Sequence, residues 1–206
     1  MLTLFRFHLR YSSKSIVFFI VLAIALGFLN SNQVININLV SLVTILTIYI
    51  PTLCIAHLLS EPFSKLIRTF PISFKQFVKS SYLYIIILYS VMIIPVFIVL
   101  ANQYFKGSIT VFALCYTLGI FAFSIVTTGG VLKAHFKHPA NSKSFSGSDM
   151  FFYILFVFIP HTLLCFLFSL FDLIFVGALI TPIICFVIFY KQYKASIKLY
   201  EQAEYL

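Results

Sequence analysis

Residues 82 to 100 read YLYIIILYSVMIIPVFIVL, a run with no charged side chain. About 20 apolar residues in helical form cross the hydrocarbon of a bilayer, at about 1.5 Å per residue. Lipid offers the backbone no hydrogen-bond partner, so a run of this kind closes its bonds internally as a helix. The stretch therefore predicts a transmembrane helix and an all-α integral membrane fold. The rest of the chain agrees: it has 206 residues, of which 62% are hydrophobic and 9% charged, with mean hydropathy +1.08. A soluble domain carries roughly 25% charged residues.

Outward from this run, five more qualify as spans. Residues 34–59, 109–132 and 150–170 are interrupted only by uncharged polar residues, prolines or a single histidine, and 173–190 is shorter but uncharged. Residues 15–30 reach a full span only if Lys14 snorkels and Asn30 sits at the far headgroups. Phe28-Leu29-Asn30 lacks the small residues of a signal cleavage site, so this segment is expected to stay as a helix. Six transmembrane helices in one transmembrane domain, 1–206, are the expectation.

The formal net charge of +9 comes from 14 Lys and Arg against 5 Asp and Glu. The basic residues sit in short clusters between spans, which points to membrane topology and away from nucleic acid. Arg6, Arg10 and Lys14 precede the first span. Lys65, Arg68, Lys75 and Lys79 follow the second, Lys133, Lys137 and Lys143 the fourth, and Lys191, Lys194 and Lys198 the sixth. All but Lys106 of the 14 fall on one side, placing both termini and the loop 133–149 in the cytoplasm, with 191–206 as a cytoplasmic tail. The outer links are short and hold no domain.

Several local patterns add detail. Within residues 1–14, Leu2, Phe5 and Leu9 share one helical face and Thr3, Arg6, Arg10 and Lys14 another, predicting an amphipathic helix along the inner membrane surface, anchored through Arg6, Arg10 and Lys14. Cys54, Cys115, Cys165 and Cys185 all lie in apolar runs and read as small buried hydrophobes, with no metal site. His57 and His161 are histidines within spans. Snorkelling suffices for His57, and a neutral imidazole bonded to a neighbouring helix is favoured over a proton relay for His161. Pro51, Pro95, Pro160 and Pro182 interrupt four helices. Gly129 and Gly130, with Ser124 and Thr127 on the preceding turns, form a small-residue patch suited to close helix contact.

The link 60–81 is too long for a turn and too apolar for a solvated loop. Ser60 caps a short helix with Pro62 in its first turn, and Phe63, Leu66, Ile67 and Phe70 then share a face opposite Lys65 and Arg68. Pro71 ends that helix. Ser73 and Gln76 then form a capping box, with Ile72 and Phe77 spaced as a hydrophobic staple, so a second helix starts here and runs into the third span. The alternative to a docking element is an interfacial hairpin resting on lipid.

The stretch LIRTFPISFKQFVKSSYL, residues 66 to 83, resembles the segment of ABC type-2 exporter permeases in which Leu-Pro-Ile-Ser is followed by basic residues, a valine, and Tyr-Leu opening the third helix. Pro71, Ile72, Ser73, Val78, Tyr82 and Leu83 match. Phe70 stands where the family often has leucine, and Ser81 where it often has lysine. The resemblance implies a coupling helix seated in a groove of a separate ATPase subunit, with Glu61 as the acidic residue upstream. Its docking residues are then Glu61, Phe63, Leu66, Ile67, Arg68, Phe70, Pro71, Ile72, Ser73 and Lys75. ATP and magnesium belong to the partner. This chain is expected to bind no cofactor and to be no enzyme, because it has no Gly-x-x-x-x-Gly-Lys-[Ser/Thr] loop and no loop large enough for an ATPase.

The implied function is export of a hydrophobic or amphipathic substrate across a bacterial cell membrane. Peptide toxins or bacteriocins come first, including the phenol-soluble modulin type, and drugs or haem next. Six helices are few to enclose a path, so a second copy or a sister permease is expected as partner, with lipid around the pair. The 26 Phe and 12 Tyr, with no Trp, would suit an apolar cavity wall, though lipid-facing Phe explains the count equally well. An ATP-independent channel or immunity-type membrane protein is the alternative. An intramembrane enzyme is least favoured, since no Gly-x-Ser-x-Gly, no His-Glu-x-x-His and no intramembrane carboxylate pair occurs.

Overall fold

A computed structural model describes residues 73–107, 110–137 and 159–203, together with residues 6, 10, 13, 14, 16–18, 20–22, 24 and 25. The expected span 34–59, the docking residues from Glu61 to Ile72, and the first part of the expected span 150–170 lie outside the described residues. Four helices follow in order: α1 (Phe74–Phe105), α2 (Val111–Lys137), α3 (Ile159–Ser169) and α4 (Ile174–Ala203). The described residues between 6 and 25 are helical as well, and no strand occurs among the described residues.

Among the described residues, three helices are long and apolar enough to cross a membrane: Phe74–Phe105, Val111–Phe136 and Ile174–Leu199. This is the architecture of a membrane protein. At 32 and 30 residues, α1 and α4 are roughly 48 and 45 Å long, against about 30 Å of hydrocarbon. Both are therefore longer than the hydrocarbon requires. For α4 the helix runs beyond residue 190 through most of the expected tail.

Local chemistry sets the helix ends. Ser73, with φ −68° and ψ 146°, is the N-cap of α1, and its side chain accepts the Gln76 N–H at 3.4 Å. The helix closes at Lys106 and Gly107, whose amides donate to the Asn102 and Tyr104 carbonyls, and Gly107 takes φ 69°. Thr110 then caps α2, accepting the Ala113 N–H on its hydroxyl at 3.4 Å. Between α3 and α4 the Leu173 amide reaches the Phe168 carbonyl at 2.9 Å and the Asp172 amide the Ser169 carbonyl at 3.3 Å. This pair of bonds is a Schellman closure, and Asp172 occupies its left-handed position at φ 57°.

The most extensive interface joins α2 to α4. Along α4 the buried stripe is Ala178, Thr181, Cys185, Phe189, Gln192 and Ser196, spaced three or four residues apart and made mostly of small or polar side chains. The largest apolar cluster centres on α1, from Phe77 through Tyr84, Ile85 and Leu88 to Leu100, and takes in Leu132 and Phe136 of α2 and Phe189 of α4. Ile16 and Ile20 of the N-terminal helix pack against it.

Candidate functional site

Of the expected docking residues, Ser73 and Lys75 are described, at the start of α1. Lys75 and Ser73 are exposed there, and Ser73 has its predicted capping role. Directly behind them Phe74, Phe77 and Phe136 form a triangle of edge-on rings, with centroids 5.8, 5.7 and 5.7 Å apart. Edge-to-face aromatic pairs add about 0.5–1.5 kcal/mol each beyond area burial, so the start of α1 is tied to the end of α2. Arg6, Arg10 and Lys14 are helical and exposed.

One turn further along α1, Tyr82 joins three helices. Its hydroxyl donates to the Gly129 carbonyl of α2 at 3.1 Å and lies 2.9 Å from the Ser196 hydroxyl of α4. Its ring packs on Phe189 and Tyr193 of α4, with centroids 5.2 and 5.4 Å away. Gln192 of α4 donates to the Val126 carbonyl of α2 at 3.2 Å, and Tyr89 shares a hydrogen bond of 2.8 Å with Thr128. Two carbonyls of α2, Val126 and Gly129, thus accept bonds from other helices beside the Gly129-Gly130 pair. A Cβ on Gly129 would lie 2.7 Å from the Phe189 ring, so glycine is what lets α4 approach this closely.

Ser80 and Ser81 are fully buried and both hydroxyls donate to the Phe77 carbonyl, at 2.8 and 3.0 Å. Ser81 therefore faces the packed interior. A lysine here, as the resembled segment often has, would carry its stem and charge into that packing at high cost.

A second buried polar cluster sits at the opposite end, between α2, α3 and α4. His161 Nδ1 lies 2.8 Å from the Thr181 hydroxyl, and Nε2 lies 3.5 Å from Cys165 Sγ. The Tyr116 ring is tilted against the imidazole at 6.4 Å. Gly119 faces the ring so closely that a Cβ would run into it. The imidazole is bonded to a neighbouring helix, as the sequence reading expects. Cys115, Cys165 and Cys185 are free and buried, and among the described residues no group of three His, Cys, Asp or Glu is placed to hold a metal.

Only part of the Tyr82 junction is legible in the sequence. The glycine pair marks it. Gln192 and Ser196, four residues apart among the lysines of the expected tail, carry the remaining signal. No family model matches the chain, and neither a curated protein nor a solved structure matches it.

Proposed function

We propose that this chain is the membrane-spanning subunit of an ATP-driven exporter, taking its energy from a separate ATPase subunit docked on residues 61–75. The observation that carries the proposal is the junction at Ser73. The stretch that resembles the coupling segment, residues 66–83, runs into α1, and α1 is one continuous helix from Phe74 to Phe105. Its first turns are bound to α2 through Phe136 and to α4 through Tyr82. A displacement delivered at Ser73 would pass along α1 and, through Phe136 and Tyr82, into α2 and α4.

On this proposal the lysine-rich end faces the cytoplasm, the ATPase supplies ATP and magnesium, and a second permease chain completes the path. An amphipathic peptide is the favoured substrate class. The test is accumulation of a fluorescent amphipathic peptide in inverted vesicles carrying both subunits. The proposal expects uptake that requires ATP and disappears when the phosphate-loop lysine of the ATPase is replaced by alanine. Uptake that persists with that ATPase variant would favour an ATP-independent channel.

A further inference from the structure

The exposed cations at the lysine-rich end follow one geometric rule. On α4, Lys191, Lys194 and Lys198 are exposed at spacings of three and four residues. At about 100° per residue they share a face, and Ile183 and Val187, 65% and 47% exposed, precede them on the same face. Phe189, Gln192 and Ser196, all buried, occupy the opposite side. The lysine stripe is thus a straight continuation of the face α4 turns away from the bundle.

The N-terminal helix repeats the pattern independently. Arg6, Arg10 and Lys14 are exposed at four-residue spacing, and Val17, Phe18 and Val21, 59%, 62% and 60% exposed, continue their line. On α1, Lys75 and Lys79 are exposed on the face that Ile86 continues. In each case the charge lies below the apolar surface that faces lipid, and away from the helix contacts. Depth is fixed by Tyr190, which is half-exposed, with the Lys194 ammonium 4.8 Å from its ring centroid. Tyrosine ring and lysine head together suit the headgroup layer. Asp172 precedes α4 at the end away from the lysines, and Glu201 follows the three lysines one turn past Lys198.

We propose that the lysine-rich end is a binding surface for anionic phospholipids, with Lys191, Lys194 and Lys198 as its principal site. The ligand is the phosphate-bearing headgroup of an acidic lipid such as phosphatidylglycerol, whose acyl chains lie along Ile183 and Val187. A cation held at an anionic membrane surface gains about 1 kcal/mol, roughly fivefold in association. The site does not depend on whether an ATPase docks.

The experiment uses the full chain in phosphatidylcholine vesicles, with trace spin-labelled phosphatidylglycerol or phosphatidylcholine, and reads the motionally restricted lipid fraction by electron spin resonance. Wild type is expected to favour labelled phosphatidylglycerol by about fivefold at low salt, with the preference shrinking at 1 M salt as screening sets in. A K191Q/K194Q/K198Q variant is expected to lose most of the preference, and K191R/K194R/K198R to keep it. Equal association of the two labels with wild type, at low salt, would overturn the proposal and leave the lysines for a protein partner. Full preference retained by the glutamine variant would also overturn it. The wild-type salt series and the arginine variant decide the matter even if the glutamine variant fails to fold.

Discussion

The Tyr82 hydroxyl donates to the Gly129 carbonyl at 3.1 Å, a bond that fastens α1 to the place in α2 where Gly129 leaves room for α4. Removing the hydroxyl with Tyr82→Phe leaves the ring contacts to Phe189 and Tyr193 and strips only the polar link. The expected loss is about 1 kcal/mol of stability in detergent, read as a lower thermal midpoint. Because Ser196 shares the same hydroxyl, Tyr82→Phe and Ser196→Ala together should cost less than the sum of the two single changes.

Gly129→Ala places a methyl against Phe189 and Gln192 of α4. Overpacking of this kind costs about 1–3 kcal/mol. Gly107→Ala, whose site is open, should act differently, since only its left-handed backbone opposes the change. Thermal midpoints of the two variants side by side separate a packing cost from a turn cost, and the prediction fails if Gly129→Ala is the milder.

The His161 cluster gives a reciprocal test. Gly119→Ala should destabilise because its methyl meets the imidazole, and His161→Ala should destabilise by losing the Thr181 bond. The double variant removes the clash, so it should be more stable than the two single effects predict by about 1 kcal/mol or more. Additive behaviour in a denaturation cycle would mean the ring does not lie over Gly119.

Asp172 holds a left-handed backbone at φ 57° in the closure between α3 and α4. Glycine adopts that conformation without steric cost, so Asp172→Gly should stabilise by about 0.5–1 kcal/mol, while Asp172→Val should destabilise. Midpoints that move in the opposite order would contradict the Schellman closure.

The apolar runs around residues 82–100, 109–132 and 173–190 announce helices because length and hydrophobicity suffice to specify a span. The start of α1 is also legible, because a capping serine with glutamine three residues on is a local signal that depends on nothing distant. Helix extent beyond the hydrocarbon is harder to see. Charged residues end a hydropathy run but do not end a helix, so Lys191, Lys194 and Lys198 hide the fact that Gln192 and Ser196 continue the buried face of α4. The Tyr82 junction joins residues from three helices, 114 positions apart at its ends, and no local spacing encodes such a meeting. His161 can be paired with a neighbouring helix in principle, but its partner Thr181 emerges only from packing.

The proposal that residues 61–75 seat a separate ATPase is tested most directly by co-purification from detergent of wild type and a Phe70→Asp variant with a co-expressed ABC-type ATPase subunit, followed by ATP turnover. Phe70 lies on the expected apolar docking face, and a buried carboxylate there opposes seating. The account predicts that wild type retains the ATPase and that the variant loses it along with the turnover the complex supports, while both chains remain folded. Equal retention by the two, or none by wild type, would contradict the claim and make the segment a hairpin resting on lipid.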